Sequence, residues 1–473
     1  MKKIYSLVGA MALASICAGA QTLPNPGFEG EWVPSTPWTP ITGTSLSMDA
    51  ALDIMGMKPE GGVNQPEGWI ISNVLGVISE MEDGGYGALG STVVGFRTDG
   101  FESATAVQLT NNPNPFMSSQ IVPAYMSLGT SWATNTLDWT TFAPANKDGG
   151  VFGGLTFSNR PDAVTFNYKL EKAENAESVQ KATVLAYAWK GTWMQADVPA
   201  ANSMSTEAPM VEEMIDRDRN ILGMETSQGG AVTHTEDAEL IMKSLTYIEE
   251  EADNWTAFTL PLDYITASTP EKINVIVAAN DYFDSETIVS GNTLTVDNIA
   301  LVYYSRLKSI SVNGTEIEGF EPDKYAYILS SEMPAVDAIS YEALGTSGCT
   351  AVETVADEAA GTITLKVSNT NEGGLDADGE ATHEYVLQFG AAQTFGGIVY
   401  EGNVIVDLGS PSDPIPANVH IIADPNNSSL CTLALPDFSL GEGATIGDIV
   451  VPNVVKTVNT QGDGYDYEGS VEG

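Results

Sequence analysis

Basic residues are scarce in this chain. Its 473 residues hold 19 Lys and Arg against 63 Asp and Glu, a formal charge of −44. A surface this acidic repels phosphate backbones and anionic membrane surfaces, so nucleic acid is excluded as a partner. Histidine and cysteine are scarcer still, with three of each. Three His leave little material for a His-rich zinc site or a Ser-His-Asp triad. His234, in a polar Thr-His-Thr-Glu-Asp run, reads as a solvated loop residue. Cys17 lies in a leader, and Cys349 and Cys431 read as isolated apolar strand positions, which excludes a disulfide framework. No later segment approaches the ~20 apolar residues that a membrane-crossing helix needs. Tryptophan is missing from the last 218 residues, because all eight lie at or before Trp255.

What is present begins with an address. Lys2 and Lys3 precede an apolar run from Ile4 to Ile16, and Ala18-Gly19-Ala20 forms an A-x-A cleavage site. Residues 1–20 are therefore expected to be a signal peptide cut after Ala20. The mature chain is then exported: secreted, periplasmic or on the outer cell surface. A lipid anchor on Cys17 is the rival, but Ala14 and Ile16 match a lipobox badly. Loss of Lys2 and Lys3 leaves 17 bases against 63 acids, a net charge of −46. Hydrophobic residues make up 43% of the chain, enough to build cores despite this charge.

Short alternating runs separated by Gly, Asn, Asp and Pro dominate. Phe258, Leu260 and Leu262 share one face of a strand, as do Leu294 and Val296, and Ile363 and Leu365. Such spacing means sandwiches or barrels. One helix is expected to interrupt the pattern. Met210, Val211, Met214, Ile215, Ile221 and Leu222 fall near helical spacing, and Gly223 closes the run. We expect an all-β chain of three modules: a Trp-rich sandwich with this helical insertion over 21–306, then units over 307–390 and 391–473.

Asn25-Pro26-Gly27-Phe28-Glu29 opens the mature chain, and Leu294-Thr295-Val296-Asp297-Asn298-Ile299 ends the first module. Between them lie Pro66-Glu67-Gly68-Trp69, the 100–109 run Gly-Phe-Glu-Ser-Ala-Thr-Ala-Val-Gln-Leu, Gly154–Pro161 and Val164–Lys169. In this order they resemble the putative carbohydrate metabolism domain family of exported bacterial proteins, jelly rolls related in shape to sugar-binding modules. The resemblance covers roughly residues 24–304. It implies that the first and last strands are neighbours and that Glu29 and Asp297 meet. Two carboxylates near backbone carbonyls suit Ca²⁺, which takes oxygen ligands. Leu307–Gly314 and Gly319–Tyr327 resemble a cadherin-like, Ig-like sandwich spacer. The Tyr400-Glu401-Gly402, Leu435–Leu440 and Ile446–Val454 runs resemble a partial calycin-like β-barrel domain.

Sugar recognition also has a basis in composition. Pyranose C–H faces stack on flat rings, while hydroxyls need Asp, Glu, Asn and Gln partners. Trp132, Trp139, Trp189 and Trp193 sit among Gly, Thr and Asn, and are the expected platforms. Trp69 and Trp255 follow strand patterning and are expected in the core. No pair of acids carries a glycosidase signature, so no catalytic residue is assigned. The expected function is non-catalytic glycan binding by an exported protein, with oligo- or polysaccharide as partner. Two other classes remain open: a glycoside hydrolase or lyase using other carboxylates, and a surface adhesin with protein partners.

Overall fold

The computed structural model describes residues 21–35, 48–73, 77–80, 86–89, 92–115, 121–133, 137–138, 143–144, 149–174, 180–199, 210–224, 231–329, 331–390, 396–405, 414–439, 445–459 and 464–469. The expected leader, Trp38 and Trp139 lie outside the described residues. Nearly all the regular structure of the described residues is strand. It divides into two compact units, one of residues 21–310 with 341–350, the other of 311–340 with 351–473.

The first unit is built on two antiparallel sheets. One has five strands in the order Ala252–Pro261, Ala163–Glu171, Thr293–Val302, Ala106–Thr110 and Gly95–Thr98. The other has six; Glu239–Ile248, Ala182–Lys190, Lys272–Ala278, Tyr125–Ser127 and Ile70–Ile71 run in order, with Leu155–Thr156 also paired to Lys272–Ala278. Alternation explains the packing. Val164, Phe166, Tyr168 and Leu170 point into the core beside Leu294, Val296, Val107 and Leu109. Val184, Ala186, Ile273, Val275 and Val277 meet them from the six-stranded sheet. Removing these side chains from water supplies the main drive, roughly 1.5–3 kcal/mol for each fully buried large one.

The six-stranded sheet is buried on its other face as well. Leu185, Tyr187 and Trp189 alternate with the core residues and enter a second cluster with Tyr125, Ile276, Val151, Ile221 and Leu222. The covering layer includes the Thr130–Ala133 strand paired with Gly149–Phe152 and the strand Trp193–Pro199 flanked by Met210–Ile215 and Val232–His234.

This layer corrects the expected helical insertion. Met210–Ile215 is a strand, and the helix is a single turn, Asp218–Ile221. Asp216 adopts a left-handed backbone (φ 54°), and its N–H donates to the Trp193 carbonyl at 2.7 Å. A helix cannot run through such a residue, and pairing with Trp193–Pro199 satisfies the preceding backbone instead. Gly223 (φ 67°) ends the turn, as its position suggested.

The larger sheets of the second unit among the described residues are one of four strands and one of five. Ala326–Leu329, Thr382–Phe389, Thr362–Asn369 and Thr350–Asp357 form a four-stranded sheet whose first pair is parallel. Tyr327, Ile363, Leu365, Tyr385 and Leu387 are buried, and Phe320 stacks on Tyr327 with ring centres 5.3 Å apart. Ile398–Val404, Ile415–Ala423, Leu430–Ser439, Thr445–Val458 and Tyr465–Glu468 form a five-stranded antiparallel meander. Both Cys349 and Cys431 are free thiols.

Candidate functional site

The ends of the first unit do come together. Asn25 turns the chain sharply, its Oδ1 accepting from Gly30 N–H at 2.8 Å and its carbonyl from Phe28 N–H at 3.1 Å. The Phe28 side chain drops into the core against Trp69, and the Pro26 carbonyl accepts from Ile299 N–H at 2.9 Å. On the last strand, pairing with Ala163–Glu171 slips by one residue between Thr165 and Asn167. The extra residue is Asn298, which tolerates a left-handed φ of 55°. This bulge lets Asp297 face outward while Ile299 returns to the core.

Glu29 and Asp297 then grip the two ends of one loop. Asp297 Oδ2 accepts from Phe101 N–H and from Ser103 Oγ, both at 2.7 Å, and Oδ1 accepts from Asn298 N–H at 2.7 Å. Glu29 Oε1 accepts from Thr105 N–H at 2.8 Å, and Oε2 receives only a long 3.5 Å contact from Thr105 Oγ1. A side chain at Gly100 would collide with Ser103 Oγ and come within 2.7 Å of Asp297 Oδ2, so only glycine fits there. The grip also holds Glu102 at a left-handed φ of 53°. Burial raises the Asp297 carboxyl above its ordinary value, and the Glu29 charge adds to the rise, against the loop's hydrogen bonds.

Among the described residues no three or more Asp, Glu, His or Cys side chains are grouped to hold a metal ion. The Glu29–Asp297 set is therefore two carboxylates plus neutral oxygens. Its chemistry, oxygen only, fits a hard cation. Of the four carboxylate oxygens, Glu29 Oε2 is the least committed to hydrogen bonds.

The loop carries Phe101 onto Trp255, with ring centres 6.1 Å apart. The Lys169 ammonium lies 4.9 Å from the Trp255 ring centre. Trp255 was expected in the core, but it sits partly exposed on the edge strand. Its neighbour Phe258 takes the inward position, 4.9 Å from Phe166. The outward face of this sheet also presents Thr165, Asn167, Thr259, Thr295, Gln108 and Thr110. Hydroxyl and amide groups thus surround a partly exposed aromatic pair. No motif marked this face; the signal was the polar half of each strand's alternation.

The expected tryptophan platforms fare differently. Trp132 lies on the strand opposite Gly150, but its side chain, like all of Trp139, falls outside the described residues. Trp189 must be corrected. It is 0% exposed, stacked on Tyr187 with ring centres 5.3 Å apart, so neither face is offered to a ligand. Its Gly and Thr neighbours suggested a loop, but Trp189 lies within the strand Ala182–Lys190, and another layer covers the side it faces. Trp193 is partly buried against the same cluster and tilts toward His234 at 6.3 Å. Its backbone exchanges hydrogen bonds with Asp216, which is ion-paired to Lys272. Asp218, deeper in this cluster, is 0% exposed and accepts from the Tyr282 hydroxyl at 2.6 Å.

No family model matches this chain, and neither does any curated protein. Among solved structures, a putative glycoside hydrolase from Bacteroides thetaiotaomicron is 14% identical with a TM-score of 0.28, covering 45% of this chain and 57% of that one. The chain therefore spans little more than half that protein's length. A putative glycoside hydrolase from Bacteroides vulgatus is 12% identical with a TM-score of 0.28, covering 48% of this chain and 89% of that one. Likeness at this distance carries no argument about activity. Among the described residues no helix is long and apolar enough to cross a membrane.

Proposed function

We propose that this is an exported glycan-binding protein whose first unit holds the sugar on the outward face of its five-stranded sheet. One observation carries the reading: the Phe101–Trp255 pair is partly exposed among hydroxyl and amide side chains. A pyranose ring has an apolar C–H face and a rim of hydroxyls. Trp255 supplies flat area at little rotamer cost, with Phe101 at its edge, while Lys169, Asn167 and Thr295 meet the rim. Glu29 and Asp297 position the loop that brings Phe101 there. A Ca²⁺ ion held by these carboxylates, with oxygens of the 101–105 loop completing its shell, would lock that loop without taking part in chemistry.

The test is a glycan array probed with the whole chain, followed by titration of each hit. Trp255→Ala is expected to weaken binding about tenfold or more, a loss of about 1.4 kcal/mol, with little change in melting temperature because the ring is partly exposed. Binding that survives Trp255→Ala, or an array with no hits, overturns the proposal. Release of reducing ends from a bound polysaccharide would move the protein to the hydrolase class.

A further inference from the structure

Register pairs in the five-stranded sheet fall into one line. Lys169 stands opposite Thr295, Thr295 opposite Gln108, and Gln108 opposite Phe96. At one edge the Lys169 ammonium rests beside the Trp255 ring. The residues flanking this line along the strands, among them Tyr168, Leu170, Leu294, Val296, Val107 and Leu109, are buried in the core. Trp255, Lys169, Thr295, Gln108 and Phe96 therefore share the outward face, and all five are partly exposed. The order across the sheet is ring, ammonium, hydroxyl, amide, ring.

Strands lie about 4.8 Å apart, so the row measures roughly 19 Å from Trp255 to Phe96, the span of about four pyranose units. The far end does not stop at a flat surface. Phe96 lines a cleft of about 260 Å³ with Leu52, Met57, Pro59, Pro113 and Pro115. Thr92, Val93 and Asn112 complete the lining of this largely apolar cleft. Glu171 stands on the same face, and the chain as a whole carries −44 charges, so a polyanionic glycan is repelled.

We infer that this row is a track for a neutral linear oligosaccharide of about four sugars lying across the strands, with Trp255 and Phe96 stacking its two ends. The inference rests on the glycan-binding reading and adds the length, direction and charge of the ligand. Thr295 and Gln108 hydrogen-bond the middle units, and Lys169 donates to hydroxyls next to the Trp255 end.

Calorimetric titration of the whole chain with gluco-, xylo-, manno- and galacto-oligosaccharide ladders of one to six sugars tests it. In the ladder that binds, affinity is expected to climb about tenfold between the disaccharide and the tetrasaccharide and then level off. Phe96→Ala is expected to cancel that climb and leave disaccharide binding in place, whereas Trp255→Ala weakens every length. Gln108→Ala, on the exposed face, gives a second probe of the middle of the track should Phe96→Ala lower the melting temperature. An affinity that is the same for every length, yet still lost in Trp255→Ala, overturns the track and leaves the glycan reading standing. Stronger binding of uronic-acid oligosaccharides than of neutral ones also overturns it. No binding in any ladder overturns both.

Discussion

Trp189 and Trp255 show how much a residue's role depends on the layer beyond its own strand. Each points away from the shared core. Trp189 is sealed under Val151, Ile221 and Leu222, while Trp255 shares an open face with Phe101 and Lys169. Asp218 belongs to the sealed side. Gly150, at φ 150°, makes room for it, since a side chain there would lie 2.8 Å from Asp218 Oδ1. Tyr125, Tyr187, Tyr282, Arg217 and Arg219 face this carboxyl. Burial raises its pKa, and the Arg219 charge, the Tyr282 hydroxyl and Arg217 offset only part of the rise. The folded protein therefore keeps this proton to higher pH than the unfolded chain does. Its contribution to stability is full below the ordinary carboxylate value of 3.8 and is lost as pH rises through the elevated one. Calorimetric melting at a series of pH values from 4 to 7 should show Asp218→Asn gaining on the parent protein as pH rises. Melting curves that stay parallel would remove Asp218 as the cause.

At the scale of elements, one bulge organises the candidate site. Asn298 breaks the pairing at the point where Asp297 must turn outward, and Gly100 lets the facing loop close over it. Glu29 arrives from the other end of the chain because the N-terminal turn docks on Ile299. If Ca²⁺ joins the two carboxylates, titration of EDTA-treated protein with CaCl₂ should give saturable heat. At a hundredfold excess over Kd it should also stabilise the fold by about 2.7 kcal/mol. Glu29→Gln and Asp297→Asn should each abolish the heat and the rise in melting temperature. A flat titration of the parent protein would leave the loop held by hydrogen bonds alone. The Met210–Ile215 strand shows the opposite case, where spacing misled. Apolar residues near i and i+4 read as a helix, but the strand Trp193–Pro199 was waiting as a partner and Asp216 ends the run in a left-handed turn.

At the scale of the molecule, charge dominates. Acids outnumber bases 63 to 19, so even full pairing of every base would leave most of the acids uncompensated. Self-repulsion of this size destabilises a compact chain and is screened by salt, the Debye length falling from about 30 Å at 0.01 M to about 3 Å at 1 M. The melting temperature should therefore rise with sodium chloride over that range, measured by scanning calorimetry. A salt-independent melting temperature would mean the charges are too dispersed to repel. Affinity for a neutral glycan should change little over the same range, which separates it from any ligand recruited by charge.

Much of this protein is legible before folding. Strand alternation names which side chains leave the core, as with Lys169 and Asn167 against Tyr168 and Leu170, because a strand's period of two is a local property of the backbone. The family resemblance of the strand-end motifs implied that Glu29 and Asp297 come together, and the structure brings both onto the 101–105 loop. Alternation says that a strand has two faces; it does not say which face another layer will cover. That was decided by residues remote in sequence. The 216–222 segment and the pair of strands Thr130–Ala133 and Gly149–Phe152 close over Trp189, and among the described residues nothing comparable closes over Trp255. Burial of a second face is a contact between distant segments, so only the tertiary structure determined which tryptophan is free to meet a ligand.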